Sequence, residues 1–193
     1  LKLEWILAGV VLITLLLVFV MKRSGNGRIP VTYGIASTGF FAMLANLILI
    51  FSFQTFYGYL YQKIGLLISI FMAGIAVGSI FITAKITKIK NAFNLFILLE
   101  VLIILFSYAT ALILTKLASF QQYSTIIFVA LFFICGLLPG LEFPLASKIY
   151  LRGTHKIGEV SGILYCADLL GGWFAGILGG VILLPVIGLF NSC

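Results

Sequence analysis

LYCADLLGGWFAGILGG, residues 164–180, is apolar over a length that crosses most of a bilayer, yet it holds one aspartate and several glycines. Its apolar residues run on without alternation, so the segment does not read as a barrel strand. In lipid a segment must satisfy its own backbone N–H and C=O groups, and a continuous apolar run does so as a helix. Asp168, Gly172, Gly176 and Gly180 recur every fourth residue and share one broad helical face. Glycines at that spacing let a second backbone come close, as membrane helices do when they pack. The stretch therefore predicts one helix of a bundle, with Asp168 opening a face covered by protein.

The rest of the chain supplies the other helices. A hydrocarbon core of roughly 30 Å calls for about 20 apolar residues. Runs of that size lie near 4–21, 31–53, 63–84, 92–115, 124–147 and 160–187. The expected fold is all-α, a polytopic transmembrane helical bundle of about six spans. With 63% hydrophobic and 9% charged residues, the chain has too little polar surface to cover a soluble globule of its size. Residues 5–21 end in Met21-Lys22-Arg23 and lack a small-residue cleavage site, so they read as a span and not as a signal peptide. Leu1 in place of methionine suggests a processed product, a fragment or part of something longer. RSGNGRIP (23–30) is the most linker-like stretch. It divides the chain into a peripheral first helix with its linker, 1–30, and a five-helix membrane bundle, 31–193.

A formal charge of +7 would suit a nucleic-acid partner in a soluble protein, but these cations sit in short loops, where they set topology and meet anionic headgroups. No nucleic-acid partner is expected. Nine of the twelve cations, Lys22, Arg23, Arg28, Lys85, Lys88, Lys90, Lys148, Arg152 and Lys156, fall on one side when six spans alternate. That side is expected to be cytoplasmic, with both termini outside, in a bacterial inner membrane; one re-entrant run would break the alternation. Cys135, Cys166 and Cys193 form no C-x-x-C pair, and His155 is the single histidine, which leaves no Cys/His zinc set and no haem held by two histidines. No cofactor or metal is expected.

Three of the five acids, Glu100, Glu142 and Asp168, lie inside the expected spans. An ionised carboxylate at mid-bilayer costs at least ~2.5 kcal/mol, so such acids normally face the bundle interior or a wet cavity. Counted from Lys90, Lys148 and Lys156 at about 1.5 Å per residue, all three come out in the cytoplasmic half, roughly 9–18 Å from the flanking cations. Acids at a common depth on three helices are candidates for one polar or ion site. The competing reading has each carboxyl hydrogen-bonded separately to a neighbouring helix or held in its neutral form. GLLPGLEFPLASK (136–148) places Pro139, Gly140 and Pro144 around Glu142, and Pro144 removes the bond to the Gly140 carbonyl. A break there would free carbonyls beside a carboxylate, as in transporters that hold cations; a bend that only improves packing is the alternative. Gly74 and Gly78 give the third span a seam like that of Gly172, Gly176 and Gly180, so the two spans are expected to pack together. Glu142 is the expected neighbour of Asp168.

Four stretches, FSFQTFYGYLYQKIGLLISIFMAGIAVGS (51–79), PGLEFPLASKIYL (139–151), GEVSGILYCADLLGG (158–172) and GGVILLPVIGL (179–189), together resemble the transmembrane domain of bacterial membrane-bound spermidine synthase-like proteins. The resemblance covers roughly residues 31–190, and LYCADLLGG following LEFPLA is its most specific part. It implies a helix layout similar to part of a major facilitator bundle. In that family a cytosolic aminopropyltransferase-like domain often accompanies the membrane part. This chain has no G-G-G-D-G nucleotide loop and no room for a sheet domain, so aminopropyl transfer is not carried over.

Size and glycine seams point first to a non-catalytic integral membrane subunit or domain. It would anchor or scaffold a larger complex of the respiratory or electron-transfer kind, with lipid and other membrane or periplasmic subunits as partners, or a second copy of itself. The alternative is a transporter-like half-bundle that moves protons or a cationic, polyamine-like solute past the three carboxyls, since an anionic site suits a cation. A membrane enzyme ranks third, because no nucleophile and base, metal cluster or phosphate loop stands out.

Overall fold

The computed structural model describes residues 28–58, 61–89, 91–117, 124–151 and 157–183. Within them the chain forms α1 (Arg28–Tyr57), α2 (Tyr61–Lys85), α3 (Ala92–Leu117), α4 (Ser124–Leu151) and α5 (Ile157–Ile177), the last running on as a π-helical stretch, Leu178–Leu183. All five helices are long and apolar enough to cross a membrane. The architecture is an all-α bundle of candidate membrane spans, as an integral membrane protein requires. The expected first span, 4–21, lies outside the described residues. Arg28, Ile29 and Pro30, expected in the linker, form the first turn of α1. Proline is accepted there because the first amides of a helix have no intrahelical partner. At its other end α1 stops at Gly58, whose φ of +77° is left-handed and whose amide donates to the Gln54 carbonyl at 2.8 Å.

Side-chain pairings set the helix directions. Thr38 meets Glu142, Phe53 meets Phe128 and Tyr57 meets Thr125, so α1 and α4 run antiparallel. Asp168 lies against Gly39 and Gly179 against Leu44, so α1 and α5 run parallel. Lys148 at the end of α4 reaches the turn after α2, as parallel α2 and α4 require. The basic ends of these helices therefore collect at one end of the bundle.

The seam of Gly74 and Gly78 faces α4 and not the last span. A methyl group at Gly74 would strike the Phe133 carbonyl, and one at Gly78 the Leu137 carbonyl; on α4, methyls at Gly136 and Gly140 would strike the carbonyls of Phe71 and Ile75. Four glycines interlock, so the backbones approach more closely than any side chain would permit. The expected pairing of the third and sixth spans fails because each has a better small-residue partner elsewhere: α4 for one, and Ala36 and Gly39 of α1 for the other. Around Pro139, Gly140 and Pro144, where a kink or break is expected, α4 runs on as one helix from Ser124 to Leu151. Each proline removes one intrahelical hydrogen bond. Close packing on α2 at Gly136 and Gly140 offsets that loss.

Two apolar clusters fill the interior. One gathers Val31, Ile35, Phe96, Leu99, Leu145 and Leu164 toward the basic end, and the other gathers Leu49, Phe53, Phe71, Leu114, Phe128 and Phe132 toward the opposite end. In sequence order along α1, α3 and α4, the residues between these clusters include Thr38, Glu100 and Glu142. The polar groups thus occupy a layer closed on both sides by apolar side chains.

Candidate functional site

Glu142 of α4 is 0% exposed and Glu100 of α3 is 6% exposed, so both carboxyls sit in the protein interior and not against lipid. Their partners come from one turn of α1. Thr38 Oγ1 lies 2.5 Å from Glu142 Oε2, and Ser37 Oγ lies 3.3 Å from Glu100 Oε1. Both hydroxyls also reach back to the Gly34 carbonyl, Ser37 at 2.8 Å and Thr38 at 3.1 Å. Such back-bonding is the ordinary habit of Ser and Thr in a helix, and it fixes the hydroxyls in place. The Glu100 and Glu142 side chains lie close enough to interact directly.

Gly34 makes the arrangement fit. A methyl at this position would stand 2.6 Å from the Phe96 ring and 2.8 Å from Glu100 Oε1. No cation among the described residues pairs with either acid. Lys148, further along α4 from Glu142, turns instead to the Ile86 and Ile89 carbonyls, at 2.5 and 2.7 Å.

Asp168 stands apart from this pair. Its carboxyl lies beside α1, where a methyl at Gly39 would be 2.5 Å from Oδ1. The residue is half-buried. The hydrogen-bond partner of Glu142 is Thr38 of α1, not the Asp168 expected there. Among the described residues no set of three or more His, Cys, Asp or Glu side chains gathers as metal ligands. The three acids share a neighbourhood without converging on one point.

The glycine face of α5 is also turned from its expected position. Its buried stripe is Val160, Leu164, Ala167, Gly171 and Ala175. Close approach occurs at Gly171, where a methyl would strike the Ala36 carbonyl and lie 3.0 Å from the Phe40 amide nitrogen. At Gly172 and Gly176 the nearest atoms would be 3.7 Å away, and at Gly180 nothing lies within 4 Å. The shift is one residue, about 100° around the helix. A stripe centred on Asp168 would bury its carboxyl against the α1 backbone; one step over, alanine and glycine take the close contact and the carboxyl stays at the edge.

GIASTG (34–39) is the segment that touches all three acids: Gly34 and Ser37 meet Glu100, Thr38 meets Glu142 and Gly39 meets Asp168. Sequence reasoning passed over it. The available signal was a knot of small and hydroxylated residues inside an otherwise apolar span, which suits a helix that must approach several others. No protein-family model matches this chain, and neither a curated protein nor a solved structure does.

Proposed function

We propose that this chain is a transporter-like half-bundle that takes up and releases protons, or a cationic solute in their place, at the Glu100–Glu142 pair. The observation that carries this reading is the pair itself: two buried carboxyls side by side, with no basic partner among the described residues, between two apolar clusters. A bundle selected only for packing has no use for it. Buried polar groups of this kind are often matched or bettered in stability by apolar side chains of similar volume, so their presence favours a role in chemistry. The apolar clusters at either end suit a site that opens to one side at a time. The concentration of Lys and Arg at the loops beside Lys85 and Lys148 supports a cytoplasmic position for that end, and with it an inner-membrane location. Glu142 also lies within PGLEFPLASKIYL, one of the stretches that resemble the membrane domain of spermidine synthase-like proteins, which is compatible with a polyamine-like cation as solute.

The test is flux in proteoliposomes of the full chain with a pH-sensitive dye inside. Glu100→Gln and Glu142→Gln are expected to abolish proton movement while the protein still inserts. Unchanged flux in both variants would remove the proposal.

A second reading, the scaffolding subunit, is favoured by the outer face of α5. Leu169, Leu170, Trp173 and Phe174 are all more than half exposed there, a surface that accepts another helix as readily as lipid. Trp173→Ala would then release copurifying subunits, and a chain that purifies alone in mild detergent counts against it.

A further inference from the structure

Resting on the proton reading of the Glu100–Glu142 pair, and naming its route, we infer that Asn46, Thr110 and Ser52 hold a file of water molecules. The file leads from the carboxyls to the end of the bundle away from the basic loops.

Ser and Thr inside a helix ordinarily give their hydrogen to the carbonyl one turn back. Thr55, Ser69, Ser107 and Ser147 do so here, at 2.9 to 3.1 Å. Ser52 and Thr110 do not. At 1% and 8% exposure, their hydroxyl oxygens have no hydrogen-bond partner among the described residues, and neither has the buried Oδ1 of Asn46. A buried polar atom left in this way is costly, and water is its usual partner. A water needs at least two polar contacts, and each position offers a second. A helix carbonyl accepts one N–H and keeps a lone pair; those of Ala42, Ile48 and Phe106 stand one turn below Asn46, Ser52 and Thr110. A water between side chain and carbonyl serves both, which explains why the two hydroxyls have left their carbonyls.

The three positions line up. Ser37 meets Glu100 and Phe41 meets Phe106, so α1 and α3 run parallel. About one turn further on, Thr110 comes level with Asn46. Along α1, Asn46 stands about 12 Å beyond Thr38, the partner of Glu142, and Ser52 about 9 Å beyond Asn46. The last step reaches Tyr57, whose hydroxyl pairs with that of Thr125 at 2.7 Å on the exposed end. The fourth buried side-chain atom without a partner among the described residues is Glu142 Oε1, where the file begins; none lies on the basic side of the carboxyls. The route therefore has one direction. Its steps are longer than one hydrogen bond, so a few waters in line span each when the outer apolar cluster parts. Transfer is balanced: at each step one O–H bond breaks, another forms, and no electron moves.

Brief X-ray radiolysis of the full chain in lipid nanodiscs tests this directly, because the hydroxyl radicals come from water and label the side chains that touch it. Phe128, Phe132 and Cys135, all 0% exposed and in the outer cluster, are expected to be labelled, while Met72, on the outer face of α2, is not. The Ser52→Ala/Thr110→Val double variant is expected to lose that labelling several-fold and to slow proton flux in proteoliposomes several-fold, with its helical circular dichroism intact. Thr110→Ser keeps the hydroxyl and both signals. A wild-type protein unlabelled at Phe128, Phe132 and Cys135 overturns the inference, as does equal labelling in the double variant. Labelling lost with flux unchanged overturns the waters as the proton's route and leaves the transport reading standing. Labelling that behaves as expected, with no flux in any form of the protein, keeps the waters and removes the transport reading.

Discussion

Thr38 of α1 and Glu142 of α4 lie 104 residues apart in the chain and meet through a hydrogen bond of 2.5 Å, inside a layer bounded at both ends by apolar side chains. That contact ties together two helices that run in opposite directions. It also places a carboxyl where only a proton, a hydroxyl or a cation can satisfy it.

Thr38→Val keeps the shape of the side chain and deletes the hydroxyl. Glu142 Oε2 is then left without its partner in the interior, a loss of about 1–3 kcal/mol for a buried polar group. Thermal unfolding in detergent is expected to show a clear drop for Thr38→Val and little change for Thr38→Ser. Equal midpoints for valine and wild type would mean that the hydroxyl is not the partner of Glu142.

Gly171 and Gly172 are neighbours in sequence with opposite demands. Alanine at 171 must push α1 and α5 apart at the Ala36 carbonyl, whereas alanine at 172 meets only ordinary contacts near 3.7 Å. Gly171→Ala should cost about 1–3 kcal/mol, in the range of overpacked cores. Gly172→Ala, by shedding the entropic cost of glycine in a helix, should be neutral or slightly stabilising. Expression and melting of the two variants side by side decide the register of the α5 face; the reverse order would restore the face centred on Asp168.

These two residues also mark where sequence reading stopped. The spans were legible because lipid imposes length and continuous apolarity on each helix, and the buried acids stood out as costly exceptions. Which face of α5 packs was not legible, since glycines at 171, 172, 176, 179 and 180 fit two neighbouring stripes and only the partner chooses. The same holds for Glu142, whose neighbour depends on helix order in the bundle, which composition does not encode. Pro139 and Pro144 misled for a related reason: a proline signals a lost bond, not whether packing holds the helix together in spite of it.

Gly34→Ala tests the room made for Glu100. The added methyl collides with the buried Phe96 ring and with Glu100 Oε1, so one of them must move. Because Phe96 is 0% exposed and has little room to yield, Glu100 is the group expected to shift and weaken its link to Ser37. Proteoliposome flux should fall several-fold while circular dichroism stays helical. Wild-type flux would show that this glycine is not needed for the pair.

Lys148 closes the basic end by donating to two carbonyls after α2, Ile86 and Ile89. Lysine near a helix end offsets carbonyls that have no intrahelical donor. Lys148→Met is expected to speed amide hydrogen exchange at Ile86 and Lys88 and to leave the middle of α4 protected. Uniform protection in the variant would rule out a clamp at this turn.

The most direct measurement is the infrared spectrum of the purified chain at neutral pH, compared with that of the Glu100→Gln/Glu142→Gln double variant. The account predicts a protonated carboxyl band in the wild-type protein that is lost in the double variant. A wild-type spectrum without that band, or a band that survives in the double variant, would contradict the shared proton between Glu100 and Glu142.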